Sequence, residues 1–170
     1  MIPDWLPAEL TLNGSSRRDD ISTLYDVYKR DFIVGPPAIV DGYQVIVNNI
    51  PDPSWNKEYT FGFTHIITIA SDRGSLRRID YDRAKKLPWV RSIIENYTQP
   101  EVVGFWYRQP KREKLYLWLR DHDFVVILTP YTNKRTTSVD NKVIIVTAFS
   151  IYPYRRRDFD KLLKKSFRVL

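Results

Sequence analysis

Residues 115–130 read LYLWLRDHDFVVILTP, two apolar runs parted by the polar triplet Asp121, His122 and Asp123. Runs this rich in aromatic and β-branched side chains read as strands, and so short a connection suits an antiparallel hairpin. The same pattern continues outward. EVVGFWYRQ (101–109) precedes the hairpin across PKRE, and KVIIVTAFSIY (142–152) follows it across NKRTTSVDN. The second half of the chain is therefore expected to be mostly a β-meander.

Helical spacing flanks that run on both sides. In DYDRAKKLPWVRSIIENY (80–97), Leu87, Val90, Ile94 and Tyr97 share one face. Pro88 either kinks this helix or starts its second half, and Asn96 and Pro100 mark its end. A last helix is expected in RRDFDKLLKKSF (156–167), with Phe159, Leu162, Leu163 and Phe167 as its apolar stripe. An earlier one is expected in DDISTLYDVYKRDFI (19–33), where Ile21, Leu24, Tyr25 and Tyr28 recur and Asp19 or Asp20 can cap. AIVDGYQVIVNN (38–49) is a hairpin signal around Asp41-Gly42. TFGFTHIITIA (60–70) reads as a strand with His65 inside it. The first 20 residues, with two prolines, Asn-Gly and SSRRDD, read as a loosely held arm. The expectation is an α+β fold: N-terminal and central helices on a curved, mainly antiparallel sheet of four to six strands, a C-terminal helix, and one domain over 21–170.

Composition narrows the function. With 43% hydrophobic and 28% charged residues the chain is globular, and no run of about 18 apolar residues offers a membrane span. The N-terminus has no signal-peptide pattern, and without cysteine there is no disulfide framework, thiolate nucleophile or Cys-based zinc site; a cytoplasmic protein fits best. Charge is uneven. Residues 1–64 carry a net −4 and residues 65–170 a net +11. A field concentrated after residue 64 points to a polyanion, with nucleic acid first.

There is no Gly-rich phosphate loop, G-x-S-x-G elbow or HExxH, and no acidic cluster of the kind a two-metal nuclease needs. If the chain is an enzyme, its chemistry is expected to need neither metal nor cofactor. RNA cleavage by transesterification suits what is left. It needs a group to take the 2′-hydroxyl proton, another to protonate the leaving 5′-oxygen, and fixed positive charge at phosphorus. Histidine fits either proton role and arginine the charge role. His65, Arg73, Arg77, Arg78, Arg83, Lys86 and Arg91 lie within 27 residues of one another. Each has a bland alternative: a buried sheet histidine, or arginines on a solvated face. The basic segment around Arg155 and Arg156 can likewise be a solvated helix face, Trp118 a core residue, and Thr147 an ordinary β-branched strand residue.

Taken in order, the histidine segment, RAKKLPWVRSIIE (83–95), LYLWLRDHDFVVILT (115–129) and VIIVTAF (143–149) resemble the phage- and plasmid-associated branch of the barnase/EndoU/colicin/RelE-like ribonuclease superfamily. The likeness covers about residues 60–165. It implies a small α+β fold whose concave sheet face holds RNA, and metal-independent endoribonuclease activity, often as a toxin or effector; an acidic immunity or antitoxin protein would then be a partner. It also implies roles. His65 would be the general base or acid, Arg83 would hold the phosphate, Thr147 would orient a phosphate oxygen, and Tyr116 would orient the scissile phosphate. On the charge distribution Arg73, Arg77, Arg78, Lys86, Arg91, Arg155 and Arg156 would bind the RNA, with Trp118, which the resemblance matches. The alternative is a non-catalytic nucleic-acid-binding or protein–protein adaptor module using the same basic face.

Overall fold

The hairpin of residues 115–130 lies in the middle of a larger sheet. A computed structural model of the protein describes residues 1–71, 74–132 and 140–170. Its main sheet is curled and mixed, in the order β1-β2-β8-β7-β6-β5-β9. The strands are β1 (Ile39–Val40), β2 (Tyr43–Ile46), β5 (Val102–Gln109), β6 (Arg112–Leu119), β7 (Phe124–Pro130), β8 (Lys142–Ser150) and β9 (Arg168–Val169). A separate antiparallel ribbon pairs β3 (Thr68–Ser71) with β4 (Gly74–Ile79). The five helices among the described residues are α1 (Arg17–Lys29), α2 (Phe61–Ile67), α3 (Tyr81–Ala84), α4 (Leu87–Glu95) and α5 (Arg156–Lys164).

The α+β class and the β5–β8 meander agree with the sequence reading. The strand number does not: the sheet has seven strands rather than four to six, and β2 joins β8 in parallel, Val45 opposite Val143. Both differences come from tertiary pairing that a local pattern does not encode. The expected Asp41-Gly42 turn is present, with both residues at positive φ, as a two-residue hairpin loop requires.

Alternation along the strands splits the interior into two clusters. Leu115, Leu117, Leu119, Val126 and Leu128 point to the face covered by α1, α2 and α4. Phe105, Tyr116, Trp118, Val125 and Ile127 point to the other, where α5 lays down Phe159. In β8, Leu128 opposes Ile145 while Ile127 opposes Thr147, so Val146 is an extra, bulged residue. That bulge turns Thr147 toward the α5 face, the side of its row-mates Ile127 and Tyr116.

Pro88 starts a helix rather than kinking one. α3 ends at Ala84, and α4 begins at Leu87 with Pro88 in its first turn, where a missing N–H costs nothing. Residues 1–16 hold no helix or strand, yet they are docked: Leu6 is buried, Trp89 Nε1 donates to the Pro7 carbonyl at 2.9 Å, and Leu10 N donates to the Lys85 carbonyl at 2.8 Å.

The expected strand around His65 is a helix. FGFTHII is rich in β-formers, but Phe63, Ile66 and Ile67 sit at helical spacing and are all buried. Burying that stripe outweighs the weak β-preference of its members. The strand expected there survives only as β3, which starts at Thr68.

Candidate functional site

The junction between α2 and β3 is held by Thr68. Arg83 Nη1 donates to the Thr68 carbonyl at 2.7 Å, and Arg77 Nη2 donates to the same oxygen at 3.0 Å. Arg77 Nε donates to Thr68 Oγ1 at 2.8 Å, and that hydroxyl donates to the Thr64 carbonyl one turn back at 2.6 Å. Thr64 Oγ1 in turn donates to Asp52 Oδ2 at 2.6 Å. Burial pushes the Asp52 carboxyl up, but hydrogen bonds from Ser54 and Thr64 more than offset it and hold its pKa below the ordinary value.

His65 stands on α2 between Thr64 and Thr68, half-buried and stacked on Phe61 with ring centroids 5.5 Å apart. Its Nδ1 lies 3.0 Å from the Phe61 carbonyl. A carbonyl only accepts, so the bond places the proton on Nδ1 and leaves the lone pair of the neutral ring on Nε2. Burial, then the charge of Arg77, lowers the pKa of His65 against smaller opposing effects of the Phe61 carbonyl and Asp52. At neutral pH the ring is therefore a base rather than a cation.

Arg83 is nearly enclosed, its side chain 10% exposed and its guanidinium 5.5 Å above the Phe149 ring. Burial lowers its pKa, and Asp80, 3.8 Å from Nε, works the other way. Among the described residues Nε itself has no hydrogen-bond partner. Arg83 also lines a recess of about 240 Å³ with Phe149, Tyr152 and Arg155. The fold thus gathers His65, Arg77 and Arg83.

Tyr116 is not part of that group. Its ring stacks on Phe105 at 5.0 Å, and the contacts leading from it to Arg83 run through Phe159 and then Phe149. Burial raises its phenol pKa, keeping the hydroxyl protonated. Thr147 lies in the same row of the α5 face, beyond Ile127.

The expected RNA-binding residues divide similarly. Arg78 is exposed on β4 and Arg155 at the recess. Lys86 Nζ donates to Ser150 Oγ at 3.0 Å, and Arg91 Nε is paired with Glu95 at 2.6 Å. Arg156 donates to the Arg120 carbonyl at 3.1 Å and lies 3.5 Å from Asp123. Trp118 must be corrected. Its ring is fully buried, with Arg120 and Arg156 over it, so it offers no face for a base to stack on. Arg73 lies outside the described residues.

Sequence reasoning missed Thr68, which anchors Arg77 and Arg83, and Thr64 and Asp52, which are bonded in line behind it. An Asp two residues before Ser54, in a proline-containing loop, is a local turn signal, but nothing local says that it will meet Thr64. No protein-family model matches the chain, and neither does any curated protein or any solved structure.

Proposed function

We propose that the protein is a metal-independent, endoribonuclease-like protein that cleaves RNA by transesterification at His65. The observation that carries the reading is an imidazole whose Nδ1 is held on the Phe61 carbonyl, leaving its lone pair on Nε2, on a helix end where Arg77 and Arg83 are anchored on one carbonyl, Arg77 close enough to act on the ring. In the proposed step Nε2 takes the 2′-hydroxyl proton, the 2′-oxygen bonds to phosphorus, and the P–O5′ bond breaks. The 5′-oxygen leaves with a proton from solvent, and the product end is a 2′,3′-cyclic phosphate. Arg77 and Arg83 carry more N–H groups than their bonds to Thr68 use, and these offset charge growing on the phosphorane.

The test is incubation of tRNA and total RNA with purified protein in EDTA, beside His65→Ala. Cleavage by the wild-type protein alone supports the reading; equal cleavage by both, or by neither, sinks it. A second reading is nucleic-acid binding without cleavage. It is favoured by the bonds that commit both arginines to Thr68, because those bonds also serve the fold. It predicts salt-sensitive RNA binding that His65→Ala leaves intact.

A further inference from the structure

The acidic N-terminal third supplies one wall of a basic groove. The groove has a volume of about 1150 Å³ and runs between the start of α1, the loop of residues 53–59 and β4. Arg17 and Arg18 face it from α1, and Arg77 and Arg78 from β4. Among the described residues Glu58 is the one carboxylate on its lining, against four arginines, so the local charge is positive although residues 1–64 sum to −4.

Aromatic rings share the groove with these cations. Trp55 and Tyr59 lie on the loop wall and Tyr81 at the β4 end. Trp55 is half-buried, edge-on to Tyr59 at 5.8 Å, and covered on one side by the Arg17 guanidinium 5.4 Å from its centroid. Packing of this kind holds an indole in place without enclosing it.

The groove continues toward the candidate site. A shallower hollow shares Arg78, Ile79 and Tyr81 with it, and shares Asp80, Asp82 and Tyr152 with the recess at Arg83. Arg77 belongs to both places: it lines the groove, and it bonds to Thr68 beside His65.

From this arrangement we infer that the groove binds an unpaired polynucleotide strand, its phosphates on Arg17, Arg18 and Arg78 and its bases on Trp55 and Tyr59. Cations alone would take any polyanion. Rings facing cations across one groove match a chain that carries both phosphates and flat, exposed bases, and in a duplex those faces are already stacked. An acidic peptide would satisfy the arginines but leave the rings without partners. The inference rests on the proposed function only for the class of polymer, and it makes the substrate of that site single-stranded.

The test uses the full chain carrying His65→Ala, in EDTA, with a fluorescein-labelled oligouridine of about 12 nucleotides read by anisotropy. The expected result is single-strand binding at least tenfold tighter than binding of the same strand annealed to oligoadenosine. Trp55→Ala should weaken it by about 5- to 150-fold, the range of one lost stacking contact, and Trp55→Phe by less. Arg17→Ala with Arg18→Ala, both exposed positions, should flatten the log–log salt slope by about 1 to 1.5. Equal affinity for strand and duplex would overturn the inference. So would unchanged binding in Trp55→Ala and in the double-arginine variant, each checked for folding by circular dichroism. If the oligouridine binds as expected while the wild-type protein cuts no RNA, the groove stands and the ribonuclease reading falls. If the wild-type protein cuts RNA and the groove variants bind normally, only the groove inference falls.

Discussion

Arg83 Nη1 lies 2.7 Å from the carbonyl of Thr68 and 3.5 Å from that of His65, so this arginine meets the histidine through its main chain. The contact ties α3 to the end of α2 while leaving the imidazole free to titrate. Arg83 thus does two things at once: it closes a backbone junction and it brings a fixed charge to the recess. Because the group is almost wholly buried, replacing it removes the shorter of two guanidinium bonds to the Thr68 carbonyl and leaves Arg77 to hold that oxygen alone. Arg83→Gln is expected to destabilise the fold by about 1–3 kcal/mol. Arg83→Lys should recover only part of this, because one ammonium cannot copy a planar fork. Urea denaturation of the two variants checks the prediction, and an unchanged midpoint in Arg83→Gln refutes it.

The lowered pKa of His65 sets a pH dependence with a definite sign. The folded protein binds this proton less readily than the unfolded chain, whose histidine titrates near 6.5. Stability associated with the group is therefore full above that value and is lost as pH falls from about 6.5 through the lowered folded pKa. If the neutral ring is the base for RNA cleavage, the acid limb of kcat/KM must also bend below pH 6.5. A pH–rate profile with its inflection at or above the ordinary histidine value would count against that role.

Gly62 allows α2 to sit where it does. A Cβ there would stand 2.5 Å from Tyr28 Oη and 2.9 Å from the Asn48 carbonyl. Gly62→Ala is expected to cost about 1–3 kcal/mol, the usual penalty for overpacking a filled interior. Tyr28 offers a contrast. Burial pushes its hydroxyl up to about 12, and although Thr60 is close, neither oxygen completes a hydrogen bond of good geometry. Tyr28→Phe removes an unpaired buried hydroxyl and should be neutral or stabilising by up to about 1 kcal/mol. The double variant should lose less than the sum of the two single changes, because the phenylalanine vacates the space the new methyl needs. Chemical denaturation of all three proteins decides the matter.

What could be read from the chain follows from how local each signal is. β5 to β8 were legible because their rows alternate and their connections are short, as in Leu117–Trp118–Leu119 and Phe124–Val125–Val126 around one turn. α2 was not, because Thr64, Ile66 and Ile67 are β-formers, and the helical spacing of Phe63, Ile66 and Ile67 is too short a run to outvote them. The parallel join of β2 to β8 brings together residues about a hundred positions apart, and no local pattern encodes that. The site divides in the same way. His65, Arg77 and Arg83 were named from chemistry and sequence proximity, His65 and Arg83 through the resemblance as well, and all three lie at the α2–β3 junction around Thr68. Tyr116 and Thr147 were named through the resemblance, and they lie together on the face beneath α5. Arg17 and Trp55 were passed over because their segment is acidic in sum, and a segment's net charge says little about which side chains share a wall.

The C-terminal residues give a last expected outcome. The apolar stripe of residues 156–167 predicts a helix reaching Phe167, but α5 ends at Lys164 and Phe167 is exposed. The chain instead turns and lays β9 along the open edge of β5. Phe167 N donates to the Trp106 carbonyl at 3.1 Å, and Leu170 N donates to the Gly104 carbonyl at 2.9 Å. Gly104 lacks a side chain where Leu170 packs; a Cβ would lie 3.1 Å from Leu170 Cδ1. Asp41 joins the same corner, accepting from Trp106 Nε1 at 2.8 Å and pairing with Arg168. Deleting residues 166–170 should bare the β5 edge, whose free carbonyls and amides are a template for another strand. The expected result is a loss of about 1–3 kcal/mol, from the main-chain hydrogen bonds to β5 and the Leu170 packing, with concentration-dependent self-association in sedimentation velocity. Gly104→Val tests the same edge without shortening the chain: it should displace Leu170 and reproduce the association. A truncated protein that stays monomeric and melts like the full chain would show that β9 only rests on β5 and does not guard it.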